Sequence, residues 1–286
     1  MDSNTTTTAT IPPAHAESEL VRSLCTSGCY RTPEVRRRIG ASRLFGRWDG
    51  WVYWRVARVI TAGSWAARRG RHDAAQWRRE SEDLLQIMEA AGGSVTIEGM
   101  APALAIDGPV VYIGNHMGML ETFFLPGIAL AHGEVTFILK ESLLEYPLFG
   151  TLLKATHPIA VTRKDPRGDL KHVLSRGVEM LKSGRSIVVF PQATRSTVFT
   201  PSQFNTLGVK LAERAGVPVV PLALKTDFMR VGKVVRDFGS LDRALPIHFR
   251  FGPPIMPPFK SRDAHATVVD FIRKCLIDWG GSVGNE

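Results

Sequence analysis

Cysteine is scarce in this chain of 286 residues: Cys25, Cys29 and Cys275 are the whole supply. Three thiols cannot build a disulfide framework. Cys25 and Cys29 have no Cys or His pair nearby at zinc spacing, so no metal centre is expected, and reduced thiols in a cytosolic protein are the reading that remains. Long apolar runs are missing as well. The best candidate for a membrane span, 48–67, carries Asp49, Arg55 and Arg58, each costing about 2.5–3.5 kcal/mol near a helix centre. No transmembrane helix is therefore expected. The opening stretch, 1–16, is polar and Thr-rich, without the apolar stretch of a signal peptide, and reads as a disordered tail. No G-x-S-x-G elbow occurs, which removes the usual serine-nucleophile signature. Lysine is absent between 31 and 79.

Hydrophobic residues make up 44 % and charged residues 22 %, which fits a globular protein of one large or two modest domains. The net charge of +9 is concentrated. Residues 31–79 hold thirteen Arg against Glu34, Asp49 and Asp73, together with Trp48, Trp51, Trp54, Trp65 and Trp77, five of the six indoles. Arg interleaved with Trp suits a membrane interface, where guanidinium meets lipid phosphate and indole sits at headgroup depth. Two other readings stand beside it: a solvated basic helix pair packing its indoles on the core, and phosphate contacts with stacking on nucleic acid. No recognised nucleic-acid module supports the last, and no nucleic-acid partner is expected. Val52, Val56, Val59, Ile60 and Gly63 recur at helical spacing, so this segment is expected to lie in the interface. The location implied is peripheral, on the cytoplasmic face of a membrane.

Residues 17–92 read as helical. Thr32-Pro33-Glu34 has the form of a helix start, Asp73-Ala74-Ala75-Gln76 of a capping box, and Gly92-Gly93 of a stop. From about 94 the pattern changes. Short β-rich runs at 95–97, 110–113, 136–139, 158–161, 186–190, 219–224 and 247–251 alternate with amphipathic stretches such as 169–182 and 203–215, and a last helix covers about 265–279. Strand–helix alternation predicts an α/β domain over 93–286, with a central, mostly parallel sheet of about seven strands flanked by helices. The basic helical segment over 17–92 precedes it.

Sites in such sheets gather where strands end. The run at 110–113 leads into Gly114-Asn115-His116-Met117-Gly118-Met119-Leu120-Glu121. The run at 158–161 leads into Thr162-Arg163-Lys164-Asp165, and that at 186–190 into Pro191-Gln192-Ala193-Thr194-Arg195-Ser196. A His with a carboxylate after one strand and cations after two others suit transfer to a phosphate-bearing alcohol. His116 and Glu121 would stand about 140° apart on one continuous helix. They can meet only with His116 on the loop and Glu121 in the first helical turn. Glu121 would then orient the ring and leave Nε2 as base. The spacing alone is weak, since His265 and Asp270 share it; both of those fall inside the last predicted helix, with no strand before them.

These residues carry a resemblance to the glycerolipid acyltransferases, the 1-acylglycerol-3-phosphate acyltransferase family. Asn115-His116 with Glu121 is similar to the family's N-H-x4-D. Ala160-Val161-Thr162-Arg163 is similar to the apolar run ending in a phosphate-binding Arg. Phe190-Pro191-Gln192-Ala193-Thr194-Arg195-Ser196 resembles F-P-E-G-T-R-S, and Val217-Pro218-Val219-Val220-Pro221 resembles V-P-I-V-P. Lys140-Glu141 before Pro147 and Gly150, and Gly208 before Lys210-Leu211-Ala212, support it, and the likeness covers about 95–260. It implies direct acyl transfer from acyl-CoA or acyl carrier protein to a lysophospholipid hydroxyl in phospholipid biosynthesis, with His116 and Glu121 catalytic. By the same resemblance Arg163, Gln192, Thr194, Arg195 and Lys140 bind substrate, and no cofactor or metal takes part. Two departures stand out: Glu121 where Asp is usual, which resets the His–carboxylate geometry, and Gln192-Ala193 where Glu-Gly is usual, which opens the acceptor's identity. Another lysolipid acceptor, such as a lyso-ornithine lipid, and a non-catalytic lipid-binding protein on the same scaffold are the alternatives.

Overall fold

The computed structural model describes residues 18–34, 48–192, 194–232 and 238–284. The tail over 1–16 and five of the thirteen arginines counted above, at 36–38, 43 and 47, lie outside them, as does any helix continuing from Thr32-Pro33-Glu34.

Among the described residues, helix α1 (Glu19–Ser27) leads into strand β1 (Tyr30–Arg31). Two long helices follow, α2 (Asp49–Arg68) and α3 (Ala74–Ala90). The Asp73 carboxylate caps α3 by accepting the Gln76 N–H at 2.7 Å. The Gln76 side chain faces forward instead of closing the return half of the box: its NH2 donates to Glu80 at 2.8 Å and its oxygen accepts from Arg79 at 2.9 Å. The alternating part then runs β2 (Val95–Glu98), α4 (Ala101–Leu104), β3 (Val111–Gly114), α5 (Leu120–Ala129), β4 (Val135–Lys140), α6 (Phe149–Ala155), β5 (Ile159–Val161), α7 (Pro166–Lys182) and β6 (Ser186–Val189). It ends with β7 (Val198–Phe199), α8 (Leu207–Ala215), β8 (Val219–Lys225), β9 (Ile247–Phe251), α9 (Ser261–Asp278) and β10 (Ser282–Val283).

One sheet has eight strands in the order β1-β2-β9-β8-β3-β6-β4-β5. Strands β3, β4, β5, β6 and β8 are mutually parallel. Strand β9 runs antiparallel to β8, β2 parallel to β9, and β1 antiparallel to β2. The seven β-rich runs of the sequence are all present. The count of about seven is corrected to eight by β1, which lies inside the stretch read as helical. Two residues carry no period of their own; Tyr30 and Arg31 become a strand because the edge of β2 offers unpaired backbone groups to them. Strands β7 and β10 form a separate parallel pair.

A parallel sheet must be covered on both faces. Successive residues from 110 onward divide between the layers: Val110, just before β3, and Tyr112 join the cluster that includes Leu24, Val56, Leu84 and Phe123 of the N-terminal helices and α5. Val111 and Ile113 join Val173, Leu211 and Val268 of α7, α8 and α9 on the other face. The segment before residue 93 thus shares its core with the sheet.

Helix α5 carries the site and is held by a local device. Pro126 removes one backbone donor inside it. Ser81 of α3 fits beside the distorted turn: its hydroxyl donates to Phe123 O at 2.5 Å and accepts the Gly127 N–H at 2.8 Å. A Cβ at Gly127 would fall 2.7 Å from that hydroxyl, so only glycine lets the two helices approach this closely.

Candidate active site

Strand β3 ends where it does because a side chain replaces its backbone. The Asn115 amide donates to Leu224 O and its carbonyl accepts Leu224 N–H, both at 2.8 Å. The ladder to β8 is extended by one rung while the main chain turns away. His116 lies on the resulting loop and Glu121 in the first turn of α5, as the meeting of the two requires.

His116 Nδ1 lies 2.9 Å from Glu121 Oε1. The same oxygen accepts the N–H groups of Met117 at 2.6 Å and Gly118 at 2.7 Å. Glu121 Oε2 accepts the Thr226 hydroxyl at 2.6 Å. Both Glu121 and Thr226 are fully buried. Burial pushes the Glu121 carboxyl up, but the hydrogen bond and charge of His116, the Thr226 hydroxyl and the Gly118 N–H outweigh it and hold the group below the usual carboxylate range. An ionised Glu121 facing Nδ1 fixes the proton on that nitrogen and leaves Nε2 as the acceptor. The ring is stacked on Phe190, centroids 4.5 Å apart and planes within 9°. The extra methylene of Glu over Asp is therefore accommodated, with every carboxylate contact made.

A cavity opens beside His116. Its walls are apolar side chains of α2, α3, α5, β4 and α6, among them Ile60, Leu84, Phe123, Phe137 and Leu152. Its polar lining includes His116, Lys140, Arg163, Gln192 and Arg195. Five of the expected site residues thus meet at one cavity, while Glu121 stands behind His116. Thr194 is exposed on the loop, away from that lining. Gln192 is buried, and its side-chain oxygen accepts the His116 N–H at 2.6 Å. It therefore holds the loop of the base as well as facing the cavity. Arg163 sits at φ +59°, a conformation that costs a non-glycine residue about 1–2 kcal/mol. Asp169 sustains it by accepting the N–H groups of Thr162 at 2.9 Å and Arg163 at 2.7 Å. The second His–acid pair stays apart: His265 packs near Phe204, and Asp270 pairs with Arg273 and Lys274 on α9.

Sequence reasoning missed Thr226 and the stacking role of Phe190. Thr226 stands 105 residues from Glu121, and no local pattern marks it. Phe190 had a signal, its place directly after β6 as the first residue of the third block.

The indole segment divides. Trp48, Trp54 and Trp65 are exposed, with Arg58 over Trp54 at 4.9 Å and Arg69 over Trp65 at 3.2 Å. Trp77 instead faces the cavity and meets Phe137 edge-on at 5.8 Å. No helix among the described residues is long and apolar enough to cross a membrane.

Fold and site define a class: α/β proteins with a His–carboxylate couple where the strands of a parallel sheet end. Residues 94–225 match a family model described as Acyltransferase, and the likeness to the glycerolipid acyltransferases that the four blocks carry is borne out. A 1-acyl-sn-glycerol-3-phosphate acyltransferase of Pseudomonas aeruginosa is 38 % identical over 115 residues, 40 % of this chain and 44 % of that protein. A lyso-ornithine lipid O-acyltransferase of the same species is 26 % identical over 141 residues, 49 % of this chain and 51 % of the relative. The chain spans about half the length of these curated relatives. The fold is that of a 1-acyl-sn-glycerophosphate acyltransferase, PlsC, from Thermotoga maritima, with a TM-score of 0.60 at 18 % identity, covering 83 % of this chain and 97 % of that one.

Proposed function

We propose that the chain is a lysophospholipid O-acyltransferase, moving a fatty acyl group from acyl-CoA or acyl carrier protein to 1-acylglycerol-3-phosphate and so making phosphatidic acid. The observation that carries this reading is the buried, ionised Glu121 at His116 Nδ1, beside an apolar cavity with three cations in its lining. His116 Nε2 takes the proton of the acceptor hydroxyl as its oxygen attacks the thioester carbonyl. The tetrahedral intermediate collapses, the carbon–sulfur bond breaks, and the imidazolium returns the proton to the departing thiolate. Glu121 stabilises the cation formed between these steps. Arg163, Arg195 and Lys140 suit the acceptor's phosphate, and the apolar walls suit an acyl chain. Neither metal nor cofactor enters this scheme. The similarity to the 1-acyl-sn-glycerol-3-phosphate acyltransferase of Pseudomonas aeruginosa supports this reading.

A second acceptor is favoured by one observation. Gln192 replaces a charged residue of the family's third block and is engaged with the backbone of His116, which leaves room for a different lysolipid headgroup. Thioester-dependent acylation on vesicles, run with lysophosphatidate and lyso-ornithine lipid in parallel, decides between them. Labelled phosphatidic acid as main product supports the first reading; preference for the other lysolipid replaces it. Product from neither acceptor with either donor removes both.

The same proposal places the protein peripherally on the cytoplasmic face of a membrane, through residues 31–79. Helix α2 supports this by turning Trp54, Arg58 and Trp65 outward while Val59 and Ile60 line the cavity. A lipid acceptor could then reach the cavity along that helix. Co-sedimentation with anionic vesicles should be strong for the wild type and fall at least several-fold for the double variant Trp54→Ser/Trp65→Ser. Equal binding by both would remove this surface as the contact.

A further inference from the structure

Acyl transfer requires two substrates to meet at His116 Nε2, and the molecule has a second concavity at that point. A polar groove is lined by Arg195, Thr197, Asp227 and Arg230 and by the stretch Gly280–Ser282. It shares Arg195 with the apolar cavity. Its Ser196 donates its N–H to His116 O at 2.9 Å, so one loop separates the groove from the base. The opposite wall is braced by β10, which pairs with β7 just beyond that loop.

Resting on the function proposed above, we infer that this groove takes the phosphate-bearing pantetheine arm of the acyl donor, with Arg230 contacting its phosphate. The arm is common to coenzyme A and carrier proteins. The cations of the cavity are already assigned to the acceptor's phosphate and its other walls are mostly apolar, so the arm's amides and phosphate would lose hydration there without replacement. The acyl chain has no such cost. A donor whose carbonyl lies at His116 therefore places its chain in the cavity and its arm in the groove. The local charge agrees. Lys225 is buried and offsets Asp227 through contacts of 2.9 and 3.1 Å. Arg230 pairs with Asp242 at 2.6 Å, with its side chain 61 % exposed. A pair this open to solvent on the Arg230 side is weakly held, so a phosphate can compete with the carboxylate for it.

The test is steady-state kinetics of the full chain with three donors of the same acyl group: acyl-CoA, the acyl carrier protein thioester and the phosphate-free N-acetylcysteamine thioester. For Arg230→Glu, KM for the two phosphate-bearing donors should rise about tenfold or more, the range of a lost charge-assisted hydrogen bond. KM for the lysolipid and the rate with the phosphate-free donor should hold. Arg230→Gln, which adds no repulsion, should shift KM the same way by less. A rise for acyl-CoA alone puts the nucleotide's phosphates at Arg230 and overturns its contact with the arm. Unchanged donor KM values, or a rise for the lysolipid instead, overturn it. Calorimetric titration with coenzyme A alone reads the same contact without turnover. If coenzyme A binding weakens tenfold in Arg230→Glu while no lysolipid is acylated, the proposed function fails and this groove stands. If coenzyme A binds wild type and variant alike, the groove fails whatever the activity.

Discussion

Replacing His116 with alanine should lower thioester-dependent acylation by about a thousandfold, in the middle of the range attributed to general acid–base catalysis. The loss should fall on kcat and leave KM for the lysolipid within a few-fold. The reason is positional. The imidazole is the one group in the cavity lining whose second nitrogen is tied to a buried carboxylate, and the cations beside it bind rather than accept protons. Its removal should cost little stability, because the ring stacks on Phe190 at the cavity edge and keeps 17 % of its side chain exposed. A thermal melt within a few degrees of wild type, together with the rate, checks this. A variant that retains more than a tenth of the rate would remove His116 as the base, and one that binds lysolipid but never turned it over as wild type would point to the non-catalytic alternative.

Glu121→Gln should be nearly as damaging and should also destabilise the fold. One carboxylate oxygen accepts two backbone N–H groups and faces the imidazole, and the other accepts Thr226. A Gln side chain offers one acceptor oxygen and turns a donor toward a site of donors. The expected cost at neutral pH is about 2–4 kcal/mol, from hydrogen bonds to a charged group lost in a buried place, with kcat down about a hundredfold or more. The pH dependence has a definite sign. The folded-state value of Glu121 lies below its ordinary one, so its stabilisation is complete above the unfolded carboxyl's pKa of about 4.3 and disappears as pH falls through the lower, folded-state value. The stability gap between wild type and Glu121→Gln should therefore be widest at neutral pH and close in acid. Urea unfolding across that interval measures it; a gap independent of pH would mean that the group is not ionised in the fold. Thr226→Val should show a smaller version, about tenfold in kcat, and Thr226→Ser should restore it, since only the hydroxyl is used.

Much of the architecture was legible because period and composition are local properties. The central parallel strands β3, β6 and β8 are buried along their whole length and read as short apolar runs, and the helices between strands keep an apolar stripe. Strand β1 was not legible, because its two residues owe their conformation to the edge of β2. The extra first turn of α9, which begins at Ser261, is likewise set by a neighbour, Glu213, whose carboxylate accepts the Ser261 N–H. At the site, the spacing of His116 and Glu121 did not separate them from His265 and Asp270. The strand preceding the first pair did, since it predicts a loop where a continuous helix would hold the two apart.

The amino-acid sequence by itself determined the alternation of strand and helix, the absence of a long apolar span, the four blocks and the identity of the His–carboxylate pair. These are decided over a few residues, by side-chain shape and backbone preference. Only the tertiary structure decided that Lys140, Arg163, Gln192 and Arg195 open on one cavity, that Thr226 completes the shell of Glu121, and that Trp77 turns inward while Trp54 and Trp65 turn outward. Those contacts join residues tens to over a hundred positions apart. They are fixed by which faces of the helices the sheet buries, and a linear pattern carries no information about the residue that will stand opposite.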